Sequence, residues 1–225
     1  MAILDYLNSK VQQLNQSGKN DLENGRLNDI ADMKFGQMIS TMQSWIPSSC
    51  SLEKSGLCKA VLAYQSDIGD VYFRLQYEMK NMLLSRNYDL VISSSFRSHL
   101  HSSQMRQTED FKVALTYEGT LQINRVMFTA NRDHEIALRL QNALNSPLLT
   151  KRLEHLKLSL LVIESDCRQG IVRIRMESLQ GSATWSIFPP AFQLIMPKRQ
   201  YCWELLEVMR ILSQIVQIVC KAEPI

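Results

Sequence analysis

The sequence lacks closely spaced glycines. Its eight glycines are spread from Gly18 to Gly181, and no two of them are separated by a single residue. Phosphate-binding loops need that spacing, because their backbone N–H groups must come close to the anion. The patterns Gly-x-Ser-x-Gly and His-Glu-x-x-His, which mark two common hydrolase sites, are absent as well. These absences weigh against nucleotide binding and against those hydrolases, and the sequence predicts no cofactor.

Cysteine is sparse and shows no paired spacing. There are five cysteines, an odd number, and no two form a Cys-x-x-Cys pair. This usage is typical of reducing compartments and predicts a cytoplasmic protein. The N-terminus lacks the basic-then-apolar pattern of a secretory signal, and no apolar run reaches the roughly 18 residues of a membrane span. The cysteines are Cys50, Cys58, Cys167, Cys202 and Cys220.

The chain also has little excess charge of either sign. The formal net charge is +3 and the pI is about 8.6, with the basic residues dispersed rather than gathered in one patch. Dedicated nucleic-acid binders usually carry a concentrated basic patch, so this distribution argues against a nucleic-acid partner. The apolar fraction of 45% and the charged fraction of 21% are typical of a globular protein that buries a core.

Helical spacing marks the first 50 residues. Apolar residues recur from Ile3 to Leu14, and again from Leu27 to Trp45, at intervals typical of one helix face. Pro47 then ends the second stretch. The pattern predicts an N-terminal helical segment over residues 1–50.

Alternation of apolar and polar residues dominates the middle of the chain. It is clear at 111–117 and 172–176, which predicts strands. Residues 71–86 alternate too, but their apolar positions also fit a helix, so both readings stay open there. Gly181, between Gln and Ser, predicts a hairpin turn, and residues 192–196 predict an edge strand.

Together these segments predict an α+β fold. Antiparallel strands form one curved sheet or two, with helices at the N-terminus, in the centre and at the C-terminus. The α+β domain is expected to span residues 51–225. Because a Ser-Asp pair precedes a glycine-led strand twice, at Ser66 and at Ser165, two related halves over about 51–130 and 131–225 are an open alternative.

The segment from about Arg199 to Lys221 is predicted to be a long apolar helix. Its polar residues trace one narrow stripe, so the helix must bury most of its circumference. We interpret it as a core helix lying across a sheet, as a partner face, or as both. A homodimer is expected, because a sheet covers only about half of a helix surface. The predicted interface residues are Tyr201, Trp203, Leu206, Ile211, Ile215 and Ile218.

Residues 93–108 are rich in Ser, His, Arg and Gln, which predicts a long exposed loop. His99 and His101 could share a metal ion in an extended segment, but they would need a third ligand and no cysteine lies close in sequence. No metal site is therefore predicted. Arg97 and Arg106 are expected to contact an acidic partner instead.

Four acidic residues fall in predicted turns, where local hydrogen bonding explains them. A paired acid–base or metal site built from these residues across the fold is the alternative. They are Asp67, Asp70, Glu164 and Asp166.

No group of residues in the sequence specifies a reaction. The sequence therefore predicts a non-enzymatic intracellular interaction, adaptor or chaperone-like protein, with a protein partner or a homo-oligomer. A first alternative is a carrier for a small apolar ligand held in a Met-rich pocket. Another is an enzyme that uses the acidic turns or the loop with His99 and His101. A large cavity would support the carrier if it were lined by Met38, Met42, Phe73 or Trp185.

Overall fold

A computed structural model describes most of the chain after the first 20 residues. The described residues are 21–66, 69–82, 84–98, 110–118, 125–130 and 134–224. Their helices are α1 (Asp21–Gln43), α2 (Glu135–Leu144), α3 (Pro147–Leu156) and α4 (Arg199–Cys220). Their strands are β1 (Cys50–Gly56), β2 (Lys59–Ser66), β3 (Gly69–Asn81), β4 (Ser85–Ser98), β5 (Lys112–Glu118), β6 (Arg125–Ala130), β7 (Leu160–Asp166), β8 (Ile171–Ser186), β9 (Ala191–Leu194) and β10 (Ala222–Pro224).

The strands form a single antiparallel sheet in the order β1-β2-β3-β4-β8-β7-β5-β6. β9 pairs with the end of β8, and β10 pairs with the end of β4. The fold is therefore α+β, with an antiparallel sheet and a C-terminal helix. β5 and β6 precede β7 and β8 in sequence but lie beyond them in the sheet, so strands from the two predicted halves share one sheet. The duplication itself stays a prediction.

The segment 71–86, which fitted both strand and helix, is strand in β3 up to Asn81 and at the start of β4 from Ser85. β3 pairs with β2 on one side and with β4 on the other. Val71, Phe73 and Leu75 are buried on one face of the sheet, while Tyr72 and Arg74 are exposed on the other. β2 pairs with residues 69–76 and β4 with residues 74–81, so every residue of β3 has at least one strand partner and the segment is a strand.

The loop prediction is wrong at its start, because β4 continues through 93–98. Ser94 and Phe96 are buried there, and Ser93 and Ser95 lie on the opposite face. β8 pairs along this stretch, and β10 pairs with its end. A strand with polar residues on one face resembles a loop in composition, which explains the error. Residues 99–108 lie outside the described residues.

The hairpin turn predicted at Gly181 is a bulge inside one long strand. Ser178 pairs with Leu90 and Ala183 pairs with Tyr88, so β8 keeps β4 as its neighbour on both sides of Gly181. Gly181 has a φ of +91°, and a Cβ atom there would lie 2.5 Å from Cδ2 of Leu90. Both facts require glycine at this position.

One face of the sheet, here called the inner face, carries the core. Buried side chains from all four helices join those of this face in a single cluster. α1 contributes Phe35, Met38, Ile39 and Met42, so the described part of the 1–50 segment shares the core. The predicted stripe at 3–14 lies outside the described residues. Among the described helices, none combines the length and apolarity needed to cross a membrane.

Candidate interaction surface

The six residues predicted to form an interface on α4 do not share one exposed face. Tyr201 is buried, and its hydroxyl lies 2.5 Å from Oγ of Ser178 on β8. Trp203 and Ile218 are 42% and 68% exposed, but 15 residues of helix place them about 22 Å apart. Leu206, Ile211 and Ile215 are half-buried against the core.

The chain itself covers most of α4. The helix packs on β4 and β8 of the sheet and is flanked by α2 and α3. Near its start, Met42, Ile46 and Leu52 of β1 line a small cavity beside it. The sheet and the other helices therefore cover much of the apolar circumference of α4, and the homodimer stays a prediction.

The other predicted site residues are dispersed or lie outside the described residues. Arg97 is exposed on β4, opposite Glu223 of β10. Asp70 on β3 is separated from Glu164 and Asp166 on β7 by β4 and β8, which is three strand spacings or roughly 14 Å. In the part of the chain that the structure describes, no three His, Cys, Asp or Glu side chains are grouped to hold a metal ion. His99, His101, Arg106 and Asp67 fall outside it.

Little empty space surrounds the residues that would line the pocket of an apolar-ligand carrier. Met38 and Phe73 are fully buried in the core. The cavity beside Met42, between α1, the sheet and α4, has a volume of about 10 Å³. That is roughly the space of one water molecule, and its lining is apolar. Trp185 is half-buried, with Arg86 stacked 6.0 Å from its ring centroid.

The cysteines are all free thiols. Burial raises the pKa of Cys58 and of Cys202 to about 11, and that of Cys220 to about 12. A thiol with such a pKa is almost wholly protonated near neutral pH and is a poor nucleophile. These three side chains therefore behave as small packing groups.

The outer edge of β6 is capped by side chains of α2 and its C-terminus. The amide of Asn145 accepts from the N–H of Phe128 at 2.8 Å and donates to its C=O at 3.1 Å. The side-chain oxygen of Gln141 accepts from the N–H of Ala130 at 2.8 Å. These two amides take the place of a neighbouring strand. At the opposite edge of the sheet, the Gln43 amide of α1 donates to the C=O of Leu52 on β1.

β9 has an edge without such a cap. The N–H of Ile195 donates to Ser182 at 3.0 Å, and its C=O accepts from Gly181 at 2.7 Å, so Ile195 faces β8. In an antiparallel pair this orientation alternates along the strand. The main-chain groups of Phe192 and Leu194 therefore point away from β8, and no described residue is hydrogen bonded to them there.

The tips of two hairpins meet next to this edge. The N–H of Ile187, after β8, donates to the C=O of Leu84, before β4, at 3.1 Å. Three apolar side chains stand out into solvent here: Met82 is 60% exposed, Leu84 43% and Phe188 74%. We call Met82, Leu84, Ile187 and Phe188 the hairpin-tip patch.

The hairpin-tip patch contains no charged residue, and several of its main-chain groups are already hydrogen bonded. No charged residue occurs between Ser186 and Pro197. The N–H of Met82 donates to Ser85 at 2.9 Å, and the C=O of Phe188 accepts from the Ser186 hydroxyl at 3.1 Å. Prolines 189 and 190 have no N–H. A partner could cover this surface without desolvating a charged side chain of the patch, which would be costly.

The outer face of the sheet, in contrast, is neutralised by ion pairs. Arg175 donates to both carboxylate oxygens of Glu78, at 2.8 and 2.6 Å, and to Glu177 at 2.9 Å. Lys80 pairs with Asp89 at 2.7 Å. Accepting these hydrogen bonds lowers the pKa of Glu78, and donating them to Glu78 raises the pKa of Arg175.

A protein-family model matches the chain over residues 50–216 and is described as "Protein of unknown function (DUF3156)". The chain belongs to this family. The DUF3156 region contains β1 to β9 and most of α4, so it includes the hairpin-tip patch, the edge of β9 and the caps on β6. Gln43, which caps β1, precedes it. No curated protein and no solved structure matches the chain.

Sequence reasoning located β9 but missed the hairpin-tip patch. The predicted edge strand at 192–196 corresponds to Ala191–Leu194. Two signals for the patch were present in the sequence. One is the charge-free stretch from Ser186 to Pro197, and the other is the run of apolar residues at 82–84 between two polar residues.

Proposed function

We propose that this chain is a non-enzymatic protein-binding module whose partner docks on the hairpin-tip patch. The proposal rests on one observation: Met82, Leu84 and Phe188 are exposed together on two hydrogen-bonded hairpin tips. Aromatic and methionine side chains are enriched at the centres of protein interfaces, where charged residues are depleted. The patch has that composition.

The size of the patch favours a protein over a membrane as the occupant. Full burial of one such side chain is worth roughly 1.5–3 kcal/mol, so the exposed fractions of the three sum to roughly 3–5 kcal/mol. A single myristoyl chain gives about the same or slightly more, and it anchors a protein only marginally. No lysine or arginine occurs between Ser186 and Pro197, and beside the other tip Lys80 is ion-paired with Asp89, so Arg86 is the basic residue left there to attract anionic lipid. A protein can surround the tips and add hydrogen bonds.

The proposed partner is a different protein rather than a second copy. Homodimerisation was expected from α4, and the chain itself covers most of that helix, leaving Trp203 and Ile218 far apart. An adaptor or chaperone-like role fits a rigid scaffold with an apolar end. The five free thiols support the further proposal that the protein works in a reducing compartment such as the cytoplasm.

Site-specific photo-cross-linking tests the proposal. A photoreactive residue replaces Phe188 in cells that naturally make the protein, and Leu148, a 63% exposed residue on α3, provides the matched control position. We expect one discrete adduct from position 188 and none from position 148. With the cross-linked partner purified, Met82→Ser/Phe188→Ser should raise the Kd by about tenfold or more, while Leu148→Ser should leave it within about twofold.

Three results would contradict the proposal. Equal cross-linking from both positions would show that the tips are not selective. An adduct of twice the 25.9 kDa chain mass would identify a second copy as the occupant. Flotation of the purified protein with phosphatidylcholine vesicles, abolished by Phe188→Ser, would assign the patch to a membrane.

A further inference from the structure

We infer that the partner contributes an extended, uncharged segment that adds a strand to the open edge of β9. The inference rests on the proposed function and names how the partner binds. The edge begins at Phe192, four residues after Phe188, so one partner can cover the tips and the edge together.

The main-chain groups of β9 have the geometry for strand addition. Phe192 and Leu194 each direct an N–H and a C=O away from β8. Residues two apart in a strand are separated by about 6.8 Å, which is the repeat that alternate residues of an added strand present. Main-chain hydrogen bonds of this kind supply affinity in β-augmentation, and the neighbouring side chains supply specificity.

The outer edges of β6 and β1 differ from the edge of β9. Helix side chains bond to main-chain groups of Phe128 and Ala130 on β6, and the Gln43 amide bonds to the C=O of Leu52 on β1. Proteins cap or charge exposed edges, because an open edge recruits other strands. β9 carries neither a cap nor a charge, and its four residues are too few to template aggregation.

The flanking side chains define the chemistry of the added segment. Phe192 and Leu194 are half-buried on the inner face, where they would lie beside alternate side chains of an added strand. Ile195 is 53% exposed on the opposite face. No charge occurs from Ser186 to Pro197, so the edge itself offers no counter-ion to a charged residue in the added segment, and the nearby Arg86 already lies over the ring of Trp185. The segment is therefore uncharged, with apolar residues at alternate positions.

Peptide selection on the full-length chain tests this inference. The probes are decapeptides from a random display library, remade as acetylated and amidated synthetic peptides, with Kd measured by fluorescence anisotropy. Leu194→Pro removes an N–H that β8 does not use, and proline is tolerated at such edge positions. Leu194→Ala is the matched control, because it removes the side chain and keeps the N–H. We expect Leu194→Pro to weaken binding by about tenfold and Leu194→Ala by less than about threefold.

A second measurement does not depend on the folding of a variant. Methylation of the peptide nitrogens is moved along the selected peptide one residue at a time. Strand addition uses alternate N–H groups, so methylation in one phase should abolish binding and methylation in the other phase should leave it nearly unchanged. Hydrogen exchange at Phe192 and Leu194 of the wild-type chain should slow on peptide binding.

Several outcomes would overturn the inference. These are a selection that yields no binder, equal effects of Leu194→Pro and Leu194→Ala, and equal effects of methylation in both phases. A sedimenting dimer that Leu194→Pro dissociates would make a second copy the occupant. If the cross-linked partner loses affinity with Met82→Ser/Phe188→Ser but not with Leu194→Pro, the proposed function stands and the strand-addition inference falls.

Discussion

The edges of β6 and β9 belong to the same sheet and differ in how their main chain is satisfied. At β6, Asn145 and Gln141 bond to the groups that face outward. At β9, the outward groups of Phe192 and Leu194 have no bond to any described residue. One edge is closed by its own helix, and the other is open beside an exposed apolar patch. The difference suggests that openness at β9 has a use, since the chain can cap an edge elsewhere.

The largest loss of unfolding free energy is expected from Gly181→Ala, which changes the bulge that is hydrogen bonded to the end of β9. The φ of +91° and the approach of a Cβ atom to Leu90 and Met38 should together cost roughly 2–4 kcal/mol of unfolding free energy. Urea denaturation measures the change. Gly36→Ala in α1 is the control: no atom lies within 4 Å of the added Cβ, and the substitution should stabilise the helix by roughly 1 kcal/mol. If Gly181→Ala left the unfolding free energy unchanged, the bulge would be able to rearrange around the added methyl group.

A smaller loss of unfolding free energy is expected from removing the side-chain cap on β6. Asn145→Ala leaves the N–H and C=O of Phe128 without their partner, which should cost roughly 1–3 kcal/mol. Hydrogen exchange at Phe128 should accelerate, and the variant should begin to self-associate through β6. Asn142→Ala on the exposed side of α2 is the control, and it should change neither property. Unchanged exchange at Phe128 would show that the amide is not a cap in solution.

The two edges also mark what the sequence could and could not predict. Periodicity was enough to predict α4 and the edge strand, because both signals are local and repeat within one segment. The caps on β6 join residues 11 to 17 positions apart in different elements, so no local pattern predicts them. Gly181 predicts a hairpin turn, but it forms a bulge, because both structures need a glycine with φ > 0. The exposure of Phe188 depends on where two hairpins end, and composition alone does not give that.

The pH-dependent part of the unfolding free energy that comes from the ion pairs of the outer face should be smaller than the loss expected from Gly181→Ala or from Asn145→Ala. The pKa of Glu78 is lowered in the folded chain, so its ion pair stabilises the fold above the ordinary carboxyl pKa of about 4.5. That stability is lost as pH falls below 4.5 and through the lowered folded value. The difference in unfolding midpoint between wild type and Arg175→Gln should therefore shrink between pH 6 and pH 3. A difference that is constant over this range would assign the role of Arg175 to packing.

The smallest change in unfolding free energy is expected from substitutions in the hairpin-tip patch. Phe188 is 74% exposed, so Phe188→Ser removes little buried area and should change the unfolding free energy by less than about 0.5 kcal/mol. Leu148→Ser on α3 should behave the same way in urea denaturation. The two variants should differ only in partner binding, which Phe188→Ser weakens and Leu148→Ser does not. A residue that leaves stability unchanged while binding depends on it is exposed for recognition. A loss of more than about 1 kcal/mol from Phe188→Ser would mean that Phe188 packs against the chain itself. The hairpin-tip patch would then be covered by the chain, as the edge of β6 is.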